Sequence, residues 1–172
     1  MMGQASRFLV KLVAKAAKGN KLAYPFTYLT KMQETLGLKN QARTVDDFLN
    51  ADILDKALQA RACHLIAGTM RDYQASSASK KVKDNELFYQ AKNIMTKAHL
   101  LYLQFHLFRT ECQKKNFADR RTSEVMELAG KVWALEQLLE DGAAVYDSGF
   151  FAPGTYRAMQ SALERCISDI RP

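Results

Sequence analysis

From about Asn85 to Lys115 the apolar residues return every three or four positions: Leu87, Ala91, Ile94, Ala98, Leu101, Phe105 and Phe108. That period matches the pitch of an α-helix, which gathers such residues into one stripe. Tyr102 and Leu107 widen the apolar surface, so the spacing predicts a central helix, with Asp84 as its N-cap. A stripe of this length must be covered by further elements. Chains built of short strands and tight turns are rich in Gly and Pro, and this one has 8 and 3. The fold class expected is therefore all-α, a bundle in which helices cover helices.

The other segments agree. Phe8, Leu9, Leu12, Val13 and Ala16 mark a helix from about Met2 to Lys18, and Gly19 and Asn20 stop it. The stretch from Lys21 to Asn40 is irregular, since Pro25 pushes Tyr24 away from helical geometry. Its aromatic residues, Tyr24, Phe26 and Tyr28, suggest a connection pinned onto the body. Thr44-Val45-Asp46-Asp47 reads as a capping box. Asn50 then caps a long helix to about Ser76, with Leu54, Leu58, Ala62, Leu65 and Met70 inward. Ser76 to Lys83 is a polar break. Val125, Leu128, Val132, Leu135 and Leu139 mark a helix over Arg120 to Glu140. A turn over Asp147 to Gly154 precedes a last helix from about Thr155 to Ile170, with Met159, Leu163, Cys166, Ile167 and Ile170 inward. The total is a bundle of about five helices, without internal repeats.

Charge and cysteine usage narrow the function classes. The net charge of +7 favours anionic partners. The basic residues are scattered, however, and the densest cluster, Lys80, Lys81 and Lys83, reads as a solvated helix end rather than a nucleic-acid site. Cys63, Cys112 and Cys166 are odd in number and far apart, as idle thiols in a reducing compartment would be. Neighbours on a helix point about 100° apart, so Cys63 and His64 do not form a thiolate pair. No stretch approaches the ~20 apolar residues of a membrane span, and no signal peptide is visible. These features predict a protein that stays inside the cell.

Signs of catalysis are absent. The sequence contains no GxGxxG, phosphate-binding GxxxxGK, GxSxG or HExxH pattern. His99 and His106 share a helix face about 10.5 Å apart along the axis, too far to bind one metal, and neither has a carboxylate four residues away. Asp46 with Asp47, and Glu136 with Glu140, read as charges on solvated faces. Trp133, Tyr146, Phe150 and Phe151 read as an aromatic group anchoring helices, or otherwise as a partner surface. No catalytic, cofactor-binding or metal-binding residue is assigned.

A resemblance supplies what the motifs do not. Gln4-Ala5-Ser6-Arg7-Phe8-Leu9-Val10-Lys11 resembles a segment of peroxisomal acyl-CoA oxidases that often reads Gln-Thr/Val-Ala-Arg-Phe-Leu-Met-Lys. Leu58-Gln59-Ala60-Arg61-Ala62, the Ala98-His99 pair, Gly149-Phe150-Phe151 and Ile170-Arg171-Pro172 resemble later stretches of that family in the same order. The positions carrying the likeness are Gln4, Arg7, Phe8, Leu9, Arg61, Ala62, His99, Gly149, Ile170 and Arg171.

The resemblance implies the C-terminal region of such an oxidase. Residues 1–20 would be the last helix of the first C-terminal helical domain, and residues 21–172 the second. It also implies FAD-dependent oxidation of acyl-CoA to trans-2-enoyl-CoA with formation of hydrogen peroxide, in fatty-acid β-oxidation, and a homodimer. The family's catalytic glutamate would lie just before Met1, and the β-domain covering the flavin would be missing. The expectation is thus a structural and dimerising part that holds no FAD by itself, docked on its own kind or on oxidase chains. The alternative is a helical protein-interaction module without catalysis. The resemblance implies a peroxisomal location, although Ser79-Lys80-Lys81 is internal and no Ser-Lys-Leu-type signal ends the chain; the location would otherwise be cytoplasmic. Neither nucleic acid nor a membrane span is expected.

Overall fold

The computed structural model describes residues 2–114, 117 and 119–171. Lys115, the expected end of the central helix, and Pro172, the last residue of the Ile-Arg-Pro stretch, lie outside the described residues.

Helix α1 (Met2–Ala17) buries Leu9, Leu12 and Val13 against the 3-10 turn that follows and against the central layer. Burying each such side chain contributes roughly 1.5–3 kcal/mol. The helix ends where the sequence predicts. Gly19 has φ +77°, and Asn20 N–H reaches back to Lys15 O at 3.1 Å, a left-handed turn that closes the last carbonyls. The irregular connection contains a 3-10 turn (Phe26–Lys31) and a short helix α2 (Met32–Leu36). Tyr28 and Phe26 pin it to the body, whereas Tyr24 stays 54% exposed.

The capping box forms as expected. Asp47 N–H donates to Thr44 Oγ1 at 3.2 Å and Thr44 N–H to Asp47 Oδ2 at 2.9 Å, opening α3 (Val45–Phe48). The Asn50 side chain accepts Asp52 N–H at 2.9 Å and opens α4 (Ala51–Ala75). On α4, Leu54, Leu58 and Ala62 are buried, while Leu65 and Met70 lie at the core margin. Ala57, Ala60, Arg61, Cys63 and Ile66 are buried as well. So wide a buried surface shows that α4 shares the centre with the helix singled out by the sequence.

That helix begins later than expected. A turn of helix α5 (Lys80–Val82), capped by Ser79, runs into a π-helical turn (Lys83–Leu87), and only at Tyr89 does α6 (Tyr89–Lys114) start. Asp84 is therefore not an N-cap. It lies inside the π turn, where its carboxylate accepts the Tyr73 hydroxyl at 2.9 Å and pairs with Lys92 Nζ. Leu87 falls in that π turn and is exposed; within α6, Ile94 is exposed while Ala98 and Phe105 are buried.

Helix α7 (Arg120–Glu140) has two working faces, one toward α4 and α6 and the other toward α9 (Tyr156–Ile170). Ala134, Leu135 and Leu138 are its buried residues besides Gly130, with Leu128, Val132 and Leu139 flanking them. Helix α8 (Gly142–Asp147) fills a stretch the sequence left unassigned and shifts the predicted turn by one residue, to about Ser148–Thr155. On α9, Met159 and Cys166 of the expected stripe are buried and Leu163 packs at the core margin; Ala162 is buried as well, whereas Ile167 is 37% exposed. The five helices of 15 or more residues are α1, α4, α6, α7 and α9, matching the bundle expected. Among the described residues there is no strand, only a parallel bridge from Asn40 to Phe151.

Candidate functional site

The interior holds a polar cluster between the 3-10 turn and α6. Tyr28 and His99 are 5% and 3% exposed, and the Tyr28 hydroxyl lies 2.5 Å from His99 Nδ1. Burial pushes the His99 pKa down to about 4 and the Tyr28 pKa far up, so the ring is neutral and the phenol protonated near pH 7. The hydroxyl must then donate to Nδ1, which places the imidazole proton on Nε2. Phe26 stacks on the same ring, and Tyr28 meets Tyr102 edge-on at 4.6 Å. The Cys63 thiol is pushed up to about 12 by burial, so it holds no thiolate. His64 is half-buried and makes no hydrogen bond to Cys63, as the helical geometry predicts.

Beyond Tyr102 a cleft of about 690 Å³ opens, with Gln59 and His106 among its lining residues. His106 Nδ1 lies 3.2 and 3.3 Å from the two carboxylate oxygens of Asp55. This partner comes from α4, packed alongside α6, and not from a neighbouring turn of α6 itself. Such a pair could orient an imidazole as a general base. No hydroxyl or thiol nucleophile is bonded to the ring among the described residues, so the pair alone specifies no reaction.

A second recess, about 790 Å³, runs between α1 and the α5–α6 junction. Arg7 and Lys11 line it from α1, Lys80 and Lys81 from α5. Lys83, the third member of the expected solvated helix end, turns away, donating to Tyr73 O at 3.1 Å.

The resemblance positions are dispersed. On α1, Gln4, Arg7 and Phe8 are exposed and Leu9 is buried. Phe8 meets Phe26 at 5.7 Å, and Phe26 stacks on His99 at 6.0 Å, so Phe26 links the first stretch to the Ala98-His99 pair. Arg61 and Ala62 are wholly buried in α4. Arg61 Nη1 donates to Gln137 O at 2.6 Å, near the C-terminal end of α7, and lies 4.0 Å from Asp141. Its Nε and Nη2 have no hydrogen-bond partner among the described residues, and burial lowers its pKa despite the neighbouring carboxylates. Gly149 (φ +70°) makes the turn that delivers Phe150 and Phe151 to the core, a conformation other residues adopt at a cost. Ile170 is half-buried and Arg171 exposed at the end of α9.

The remaining candidates stand as surface or packing groups. Asp46 pairs with Arg165 at 2.7 Å and Glu140 with Lys97 at 3.5 Å, on exposed faces. The aromatic group divides. Phe151 packs edge-on against Phe48, and the Tyr146 hydroxyl is 3.0 Å from Thr155 Oγ1. Trp133 stacks instead on Phe105, at 6.3 Å, beside an apolar recess of about 360 Å³. Among the described residues, no group of three or more His, Cys, Asp or Glu side chains could hold a metal ion. Nor is any helix there long and apolar enough to cross a membrane.

Comparison with known proteins agrees with this fold. Residues 50–172 match the family model described as acyl-CoA oxidase. The fold is similar to that of Arabidopsis thaliana acyl-CoA oxidase 1, with a TM-score of 0.90 and 16% identity over 99% of this chain. It is also similar to an acyl-CoA oxidase from tomato, Lycopersicon esculentum, with a TM-score of 0.91 and 15% identity over 99% of this chain. The chain spans 26% of the length of each of these proteins. No match was found among the curated proteins.

Proposed function

Because the chain belongs to the acyl-CoA oxidase family, we propose that it supplies the C-terminal helical scaffold of such an enzyme, the part that supports the flavin site and the dimer. One observation carries this reading: the fold agrees over 99% of this chain and over only 26% of a family member. The family oxidises acyl-CoA to trans-2-enoyl-CoA on FAD, and oxygen takes the electrons to give hydrogen peroxide. In this reading residues 1–20 correspond to the last helix of the first C-terminal domain, and residues 21–172 to the second. The positions that carry the likeness, from Gln4 to Arg171, serve as packing and docking positions. The partner is a second copy or another oxidase chain, and the compartment is the peroxisome.

The chain's own residues do not fit a whole FAD. A diphosphate would suit the cations between α1 and α5, whereas an isoalloxazine ring would suit the recess at Phe105, Phe108 and Trp133. Lys92, which lines the first, and Phe105, which lines the second, are 13 residues apart on α6, about 20 Å along its axis. That exceeds what a ribityl chain bridges, so the two recesses do not serve one flavin.

The alternative, a helical interaction module without catalysis, draws on Phe8, 51% exposed on α1. Leu9, Leu12 and Val13 on the same helix fold back onto the bundle, which favours the scaffold.

The test is the visible spectrum of the purified chain after incubation with FAD and removal of the excess. A scaffold retains no stoichiometric flavin. Stoichiometric yellow colour and acyl-CoA-dependent bleaching would overturn the reading.

A further inference from the structure

The acidic residues, more than the basic ones, are unevenly spread along the chain. Residues 1–33 contain Arg7, Lys11, Lys15, Lys18, Lys21 and Lys31 and not one Asp or Glu, which leaves 19 basic against 18 acidic residues for the remainder. Nearly all of the net charge of +7 therefore belongs to α1 and the connection after it. These cations are all exposed. None of them forms an ion pair with a described residue, whereas Lys92, Lys97, Arg109 and Arg165 each meet a carboxylate.

The helix gathers them on one side. At about 100° per residue, Arg7, Lys11 and Lys18 fall within about 40° of one another, with Lys15 about 40° further round. Like charges so placed repel, and a negative surface relieves that repulsion. The basic face continues past both ends of α1. Lys81 shares a recess with Arg7 and Lys11, and Lys21 and Lys31 line the cleft beside Gly19, where the helix has ended.

A second, independent observation is the pair of exposed rings among these cations. Phe8 stands one heptad before Lys15, on the same line of α1, and is 51% exposed with no polar group to keep in water. Tyr24, three residues after Lys21, is 54% exposed. Cations interleaved with aromatic side chains suit the boundary between lipid headgroups and acyl chains. Five of the six cations are lysines, compact charges that meet headgroups in no fixed arrangement, whereas recognition of nucleic acid favours the planar guanidinium. A face of one sign, with no carboxylate to set a register, also suits an extended anionic plane better than a folded partner.

We propose that this face is a peripheral docking surface for an anionic lipid bilayer, with the cations at headgroup level and Phe8 and Tyr24 entering the interface. The helix lies along the bilayer rather than through it. Leu9, Leu12 and Val13 are committed to the bundle, and no described helix is long and apolar enough to cross a membrane. The proposal stands on these residues and is independent of the family reading.

The test is co-sedimentation of the full chain with vesicles of phosphatidylcholine alone and with vesicles containing about one-third phosphatidylserine, at low and high salt. Binding to the anionic vesicles at least tenfold stronger than to the neutral ones, and weakened by salt, is the expected result. K11E/K18E should lower it at least tenfold, with the fold checked by circular dichroism. R157E/R171E changes the net charge equally on and after α9, which packs on α3 and α7, and should bind nearly as the parent chain does. F8A should weaken binding several-fold without altering its salt dependence; an unchanged affinity overturns the part assigned to the ring. Equal losses in K11E/K18E and R157E/R171E overturn the proposal, since net charge alone would then act. So does the absence of any preference for anionic vesicles at low salt. An oligonucleotide, or a second copy of the chain, that binds K11E/K18E-sensitively while vesicles do not bind overturns it too.

Discussion

The hydroxyl of Tyr28 lies 2.5 Å from Nδ1 of His99, although 71 positions separate the two residues in the chain. The bond joins the irregular N-terminal connection to the middle of α6, and it needs a neutral imidazole.

Stability should therefore fall on acidification. His99 has a folded-state pKa lowered from 6.5 to about 4, so the unfolded chain binds its proton first. Its contribution is complete above pH about 6.5 and is lost as pH falls through the window down to about 4, a change on the order of 3 kcal/mol. Urea unfolding across that window, together with the His99 ring resonances by NMR, checks this. A ring that becomes charged near pH 6.5 in the folded protein contradicts it.

Removing the Tyr28 hydroxyl tests the same bond from the other side. Tyr28→Phe keeps the ring contacts with Tyr102 and leaves Nδ1 of a buried His99 without its donor. The expected loss is about 1–3 kcal/mol by chemical denaturation.

Arg61 calls for a graded pair of variants. Arg61→Met surrenders the bond to Gln137 O but also removes two buried nitrogens that lack partners. It should cost less than about 2 kcal/mol, because a buried charge is costly to hold. Arg61→Ala opens a void at a wholly buried position and should cost about 3 kcal/mol or more. Equal losses for the two, measured by urea unfolding, would mean that the charge itself stabilises the fold.

At Gly130 the helices α6 and α7 approach so closely that a Cβ would sit 2.7 Å from Phe108 Cε1. Gly130→Ala should lower stability by about 1–2 kcal/mol, despite the ~1 kcal/mol that Ala gains over Gly in a helix. Adding Phe108→Leu should recover most of the loss, as thermal unfolding of the single and double variants would reveal.

The N-cap of α4 offers a smaller, local effect. Asn50→Ala removes the acceptor for Asp52 N–H and should cost about 1 kcal/mol, read as a shift in thermal midpoint with unchanged helicity.

The long helices were legible because their stripes carry many residues at one period, and the capping box and Asn50 because their chemistry is local. Asp84 was misread for the converse reason. As a sequence letter it suits an N-cap, yet Tyr73 and Lys92 compete for its carboxylate, and those contacts exist only once α4 and α6 are side by side. Asp55 and His106 illustrate the same limit, since no local pattern links residues 51 positions apart. Helix α8 escaped notice because Gly142–Asp147 is too short to show a period. The recess lined by Arg7, Lys11, Lys80 and Lys81 was not legible, since the lysine cluster reads as a solvated helix end and the other wall comes from α1.

The bridge between Asn40 and Phe151 bears on how the molecule could be divided. Asn40 N–H donates to Phe150 O at 2.7 Å, Phe48 packs on Phe151, and Asp46 pairs with Arg165 of α9. Residues 40–48 thus act as a clasp across the far end of the bundle, although the family match begins at residue 50. A piece cut at that boundary would carry α9 with its clasp undone and a bare aromatic face, so the smallest self-sufficient unit starts upstream of the sequence match.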